Sequence, residues 1–144
     1  ADSTLLFGAT SSCGTFAGLL LGLTLAGRRD VRLIGVSADA PASEITSATL
    51  KLAADGARLL GTSLGLTPAP LHSMDSQIGA GYGIPTSASI EATDMFGRLA
   101  GIVLDPTYTS KAAAGMIEWL ERKGVEKGRR VVFLHTGGAP GLLS

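Results

Sequence analysis

The chain has 144 residues, a length typical of one compact domain. Its 12 Lys and Arg residues balance its 12 Asp and Glu residues, and this zero formal net charge argues against electrostatic binding to nucleic acid or to an anionic membrane. One cysteine excludes an internal disulfide framework, and one cysteine with two histidines offers too few ligands for the usual structural zinc site.

Hydropathy and charge together predict a soluble protein. The longest apolar run, Phe16 to Gly27, covers about twelve residues, whereas a membrane-spanning helix needs roughly 20. No basic segment precedes that run, so it lacks the pattern of a secretory signal, and we expect a cytoplasmic protein. Charged residues make up only 17% of the chain, which predicts apolar surface that meets a partner or a missing domain.

The first part of the chain predicts a strand, a helix and a strand. The apolar run Thr4–Phe7 predicts a buried strand, and Gly14–Ala26 predicts a buried helix that is apolar nearly all round. Val31–Val36 predicts a second strand. Glycines recur every four residues in the helix, and we interpret them as a smooth face that lets it lie close to a sheet: Gly14, Gly18 and Gly22.

The next helix is predicted to begin at Pro41–Glu44, with Ser43 as its N-cap. Leu71–Met74 is a weak candidate for a strand. The helix carries an apolar stripe with helical spacing, formed by Ile45, Ala48, Leu52, Gly56, Leu59 and Leu60.

The second half of the chain continues the alternation. A glycine-rich loop, Gly79–Pro85, precedes a helix that begins near Ser87, and Ile102–Leu104 predicts a strand closed by Asp105-Pro106. A helix is predicted over Ser110–Lys123, followed by a last strand, Val131–Leu134. The residues expected to face inward from the two helices are Ala88, Ala92, Met95, Phe96 and Leu99, then Ala113, Met116, Ile117 and Leu120.

This alternation predicts a single α/β domain over residues 1–144. The expected architecture is a three-layer open, mainly parallel sheet of about five strands, with about four helices on both faces. In such a sheet the loops that follow the strands share one edge, and ligands bind at that edge.

Four polar loops fall on this predicted edge. Thr10–Thr15 joins the first strand to a helix N-terminus, where backbone N–H groups favour a phosphate, although a capped helix start without a ligand explains it equally well. The others are Gly79–Thr86, Tyr108-Thr109 and His135–Gly138. Tyr82 and Tyr108 could serve there as acids or bases, whereas we expect Asp105 to organise a turn and His135 to bind backbone.

Two stretches carry a resemblance to a known family. GIVLDPTYTSKAAAGMI (Gly101–Ile117) and VVFLHTGGAPGL (Val131–Leu142) resemble the C-terminal part of the D-cysteine desulfhydrase and 1-aminocyclopropane-1-carboxylate deaminase family. TSSCGTFAGL (Thr10–Leu19) is similar to that family's phosphate loop, and GYGIP (Gly81–Pro85) to its tyrosine loop. The family's members are pyridoxal-phosphate enzymes with the fold of the tryptophan synthase β subunit. The resemblance is weak between Ala38 and Ile78.

The resemblance implies a role for each matched residue. Tyr82 and Tyr108 would be the two active-site tyrosines, and Thr109 and Thr136 would lie near the pyridine nitrogen. Thr109 stands where the deaminases have glutamate, which favours elimination of a β-substituent from an amino acid. Ser11 and Cys13 replace common glycines of the phosphate loop. The cofactor phosphate would be held by Ser12, Cys13, Gly14 and Thr15.

The resemblance also implies that the Schiff-base lysine lies in an N-terminal half with no counterpart here. Our first hypothesis is therefore a fragment or split half of a pyridoxal-phosphate-dependent lyase. It would bind pyridoxal phosphate weakly or not at all, would be inactive alone and would self-associate where the other half would bind. The second is an enzyme whose Schiff-base lysine has moved to Lys111. The third is a non-catalytic module that self-associates through its apolar surface.

Overall fold

A computed structural model describes residues 4–63, 65–67 and 70–138. Strands and helices alternate through most of this part of the chain, as the hydropathy pattern predicts. In chain order the elements are β1 (Thr4–Thr10), α1 (Gly14–Leu25), β2 (Val31–Ser37), α2 (Ala42–Leu59), β3 (Leu71–Met74), α3 (Ser87–Ala100), α4 (Thr109–Lys123) and β4 (Arg130–Phe133).

The strands form a parallel sheet in the order β3-β2-β1-β4. Alternate residues of a strand point to opposite faces, so Leu33 packs with α1 and α2 while Ile34 packs with α4. Helix α3 packs on α4 as an outer layer through Ala92 and Phe96. The three-layer α/β class with helices on both faces is thus confirmed.

One predicted strand is absent from the described residues. The sheet has four strands there rather than about five, because Ile102–Leu104 links α3 to α4 without pairing. Leu104 is buried among Ala92, Ala113 and Ala114 between the helices. A short apolar run signals burial, and burial between helices satisfies it as well as a place in the sheet does.

The glycine face of α1 does not lie on the sheet. The helix packs through Phe16, Ala17 and Leu20, which are buried in the core cluster beside β2. A methyl group at any of the three spaced glycines would meet nothing within 4 Å among the described residues. The interpretation of these glycines as a smooth sheet-facing surface is therefore wrong, because the bulky apolar residues take that side. The glycines are Gly14, Gly18 and Gly22.

The inward face of α2 is also rotated from the predicted one. Helix α2 packs closely on α1, because a Cβ at Gly56 would stand only 3.0 Å from Leu21 Cδ2. This close approach leaves no room for leucine side chains on the inward face of α2. Leu59 is 89% exposed, and Ser43 lies inside the helix because Pro41 is its N-cap. The buried residues are Ile45, Thr49, Ala53 and Ala57, so Ile45 alone of the predicted stripe is fully buried.

Helices α3 and α4 differ in how far the predicted faces hold. In α4 the four predicted inward residues are buried or half-buried. In α3, Ala92 and Phe96 face inward, but Ala88, Met95 and Leu99 are exposed, and Leu99 is 82% exposed.

No helix among the described residues is long and apolar enough to cross a membrane.

Candidate functional site

The loops after β1 and β4 meet the start of α4 at the carboxyl edge of the sheet. They line an open cavity of about 280 Å³, which is large enough for a small phosphorylated ligand. Parallel strands direct their carboxyl ends to one edge, so residues far apart in sequence come together there. The cavity is lined by Ala9, Thr10, Ser11, Ser12, Cys13, Gly14, Thr15, Tyr108 and Thr136.

The start of α1 supplies hydrogen-bond donors to this cavity. The first N–H groups of a helix have no intrahelical acceptor, and no side chain caps α1. Thr10 Oγ1 is buried beside them without a hydrogen-bond partner among the described residues. Unpaired donors together with the positive end of a helix dipole favour an anion.

The two side chains that replace loop glycines are held by neighbouring residues. Ser11 Oγ donates a hydrogen bond of 2.7 Å to Asp39 Oδ2. Cys13 is buried, and its Sγ lies 3.7 Å from the carbonyl oxygen of Ile45 in α2. Cys13 nevertheless has a φ of 64°, in the left-handed region that favours glycine.

This backbone angle predicts that glycine is more stable than alanine at position 13, the reverse of their usual order in a helix. We expect the free energy of unfolding of Cys13→Gly to be about 1 kcal/mol higher than that of Cys13→Ala, because alanine, unlike glycine, is strained in the left-handed region. Both variants lose the thiol, so their difference in urea denaturation isolates the backbone. At Gly22, inside α1, alanine should instead be the more stable residue by about 1 kcal/mol. Alanine proving more stable at both positions would contradict the prediction.

The two tyrosines form a direct pair at the same edge. The hydroxyl groups of Tyr82 and Tyr108 are hydrogen-bonded to each other, and their ring centroids lie 5.8 Å apart at 69°. Tyr82 comes from the glycine-rich loop and Tyr108 from the residue before α4. The pair therefore links that loop to the cavity, which Tyr108 lines.

The hydrogen bond that Tyr108 donates to Tyr82 raises the pKa of Tyr108 to about 12, with burial and the nearby charges of Asp39 and Asp105 acting in the same direction. Ionised Tyr108 would lose a shared proton and face a second oxygen at close range. Tyr108 is therefore protonated at neutral pH, and within this pair it is a weaker acid than an isolated tyrosine.

Asp105 organises the turn before α4, as predicted. Its Oδ2 accepts the N–H groups of Thr107 and Tyr108, and its Oδ1 accepts both the N–H and the hydroxyl of Thr109. Burial acts to raise the pKa of Asp105, but these donors outweigh it and hold the pKa below its ordinary value. Thr109 itself is buried in this turn and does not line the cavity.

His135 fixes the loop that carries Thr136. Its Nε2 lies 2.7 Å from the carbonyl oxygen of Val103, and its Nδ1 accepts the N–H of Gly137 at 3.2 Å. The Nε2 therefore carries the proton, and the expectation that His135 binds backbone is confirmed. The last residues of the HTGGAPGL motif, 139–142, lie outside the described residues.

A parallel α/β sheet with an uncapped helix start at its carboxyl edge is an arrangement that suits an anionic ligand. Comparison with known families identifies the family. The chain belongs to the family described as pyridoxal-phosphate dependent enzymes, whose profile matches residues 1–137.

Individual relatives refine this assignment. The chain is 37% identical over 137 residues to the D-cysteine desulfhydrases of Salmonella typhi and of Salmonella paratyphi C strain RKS4594, which covers 94% of this chain and 40% of theirs. It is also similar to a crystal structure of an ACC deaminase homologue, with a TM-score of 0.81 and 30% identity over 98% of this chain and 41% of that one. The chain thus spans about two fifths of the length of these relatives.

The described residues fit the family's cofactor at its phosphate end. The donor set of the cavity comprises helix-start N–H groups and the side chains of Ser12 and Thr15. Thr10 also lines the cavity, and its buried hydroxyl has no hydrogen-bond partner among the described residues. Such a set suits a phosphate group and offers it no carboxylate.

Proposed function

We propose that this chain is the cofactor-phosphate-binding part of a pyridoxal-phosphate-dependent lyase that eliminates a β-substituent from an amino acid, as a D-cysteine desulfhydrase does. One observation carries the proposal: the uncapped start of α1 lines one cavity with Tyr108 and Thr136. The loop residues Ser12, Cys13, Gly14 and Thr15 would hold the phosphate, and Thr136 would approach the ring nitrogen.

Bound pyridoxal phosphate supplies an electron sink for chemistry at the α-carbon of an amino acid. The tyrosines would supply the proton transfers. Tyr108 is protonated at neutral pH and can donate its proton to a departing group. Tyr82 can then pass its own proton to Tyr108 through their hydrogen bond and take a replacement from solvent, because Tyr82 is exposed. Thr109 supports this pair indirectly, because its side chain completes the Asp105 turn.

The lysine that bonds covalently to the cofactor would come from outside residues 1–144. The sequence has four lysines, and Lys51, Lys123 and Lys127 are exposed. Lys111 is fully buried, and its amine donates to two backbone carbonyls, so forming an imine would require both bonds to break. The alternative in which Lys111 replaces the missing lysine is accordingly less well supported, and we expect no turnover by this chain alone.

The phosphate assignment can be tested by placing a carboxylate where the phosphate would sit. We expect Gly14→Asp to weaken binding of pyridoxal phosphate at least tenfold in calorimetric titration, through charge repulsion at short range. A Cβ at Gly14 meets nothing within 4 Å, and an acidic residue in the first turn favours the helix, so folding should survive.

Gly22→Asp is the matched control, because Gly22 is also an exposed glycine of α1 with free space but lies about 12 Å further along the axis. Gly22→Asp should bind pyridoxal phosphate as tightly as the wild type does, and pyridoxal, which has no phosphate, should bind neither the wild type nor Gly22→Asp. The phosphate site would be contradicted if both variants lost affinity equally, or if the wild type bound pyridoxal as tightly as pyridoxal phosphate.

Exposed apolar side chains bear both on the proposed function and on a second candidate, a self-associating module. Large aliphatic residues are exposed on α3 and at the end of α2, and burying them would stabilise an assembly. We propose that they contact the remaining part of the enzyme. A self-associating module without catalysis is the competing hypothesis, and a dimer that binds no pyridoxal phosphate would favour it. The residues are Leu59, Leu60, Ile90 and Leu99.

A further inference from the structure

Lys111 is buried in a way that is unusual for a lysine. It lies in the first turn of α4 with none of its surface exposed. Burial lowers its pKa, with the charge of Asp39 acting in the opposite direction. Among the described residues its amine makes no ion pair; it donates instead to the carbonyl oxygens of Ile78 at 2.8 Å and Gly81 at 2.9 Å. A buried amine is retained only where its hydrogen bonds offset the loss of water.

Both acceptors belong to the connection between β3 and α3, residues 75–86, which presents Tyr82 and is here called the Tyr82 loop. Three glycines of this loop have positive φ angles of 65°, 148° and 73°, so its backbone follows a path that few other residues would hold. These are Gly79, Gly81 and Gly83.

Each end of the loop has its own anchor, and the two ends also contact each other, since Thr86 Oγ1 donates to Gln77 Oε1 at 3.4 Å. At one end Gln77 donates to Glu118 of α4 at 2.9 Å. At the other end Thr86 and Ser89 form a capping box at the start of α3. The middle of the loop lies between these anchors, and there the Lys111 amine bridges two carbonyls three residues apart.

The same turn of α4 carries the partner of Tyr82. Tyr108 precedes Lys111 by three residues, which is nearly one helical turn, so the amine and the Tyr108 ring project from the same end of α4. An amine that fixes the loop to this turn also fixes the distance between the two tyrosines.

We infer that Lys111 is a positioning residue whose buried amine latches the Tyr82 loop to α4 and thereby forms the Tyr82–Tyr108 pair. The inference rests on the proposed function, in which that pair moves protons. Its test requires no cofactor, so it can fail while the phosphate site stands.

The loop should open when the amine is removed. Lys111→Met keeps the length of the side chain but has no donor, and we expect chymotrypsin to cleave after Tyr82 at least tenfold faster than in the wild type. Lys111→Gln, which keeps an N–H donor without the charge, should fall between the two. Lys123→Met, at the exposed end of the same helix, should be cleaved at the wild-type rate.

A spectroscopic readout separates the latch from general destabilisation. With ¹³C-labelled tyrosine, the two Cζ resonances of Lys111→Met should shift toward those of isolated tyrosines, while the fluorescence of Trp119 stays native. Unchanged cleavage and unchanged tyrosine resonances in a folded Lys111→Met protein would overturn the inference.

The wild-type chain provides a test that holds even if both variants fail to fold. In reductive methylation, Lys111 should react at least tenfold more slowly than Lys51, Lys123 and Lys127. After cleavage at Tyr82 it should react at a rate close to theirs. A Lys111 that stays protected after that cleavage would show that burial in α4, rather than the loop contact, encloses the amine, and would also overturn the inference.

Discussion

Replacing Asp105 with asparagine is expected to lower the free energy of unfolding by about 2–3 kcal/mol at pH 7. The carboxylate accepts three backbone N–H groups and the Thr109 hydroxyl, and hydrogen bonds to a charged acceptor contribute more than neutral ones. Asparagine has one acceptor oxygen and turns an N–H₂ group toward the remaining donors. Urea denaturation of the two proteins measures the difference.

The effect should depend on pH with a definite sign. The folded-state pKa of Asp105 lies below its unfolded value of about 3.9, so the carboxylate contributes its full stabilisation above that pH and loses it as the pH falls through the folded pKa. The gap between Asp105→Asn and the wild type should therefore narrow on acidification below about pH 4. Asp94→Asn, which affects an exposed ion pair with Arg98, should change stability by less than about 1 kcal/mol. A gap that stays constant down to pH 2 would contradict the assignment.

Gly115→Ala should destabilise the protein by about 2 kcal/mol, although alanine favours helix by about 1 kcal/mol over glycine. A Cβ at Gly115 would stand 2.7 Å and 2.9 Å from the two methyl carbons of Val36, which is buried in β2. Helix α4 can approach the sheet at this point only because the residue has no side chain.

Gly97→Ala tests the opposite case in a neighbouring helix. Gly97 lies in α3 with no heavy atom within 4 Å of its would-be Cβ, so the substitution should raise stability by about 0.5–1 kcal/mol. Thermal denaturation of both variants gives the comparison. If both substitutions stabilised the protein, the close contact between α4 and β2 would not be a constraint.

Much of the fold could be predicted because its elements have clear local signals. The apolar runs at β1 and β2 mark strands buried on both faces, and the turn after α1 separates them. The failures arose where the depth of burial depends on neighbouring elements. Leu104 carries the same apolar signal as a strand residue, and in α2 the approach of α1 selects alanine over leucine for the inside.

The site was predictable to the level of its loops. Parallel strands bring their carboxyl ends together whatever their side chains, so the meeting of Thr10–Thr15 after β1 with Thr136 after β4 follows from the order of elements. Tyr108 reaches the same cavity by a different route, because it precedes α4 and no paired strand leads into it. The use of individual side chains does not follow in this way. Thr109 turns into the Asp105 turn, and the buried amine of Lys111 has no sequence signal, because an isolated lysine in a helix usually predicts a solvated charge.

The order of the strands also bears on how the chain folds. Thr4 in β1 pairs with Arg130 in β4, 126 positions later, whereas β1 and β2 pair across a span of 27. Closing so long a span costs about 4 kcal/mol in chain entropy, and contacts of this kind form slowly. During synthesis, the amide and carbonyl groups on one edge of β1 therefore stay unpaired by β4 until Arg130–Phe133 have left the ribosome.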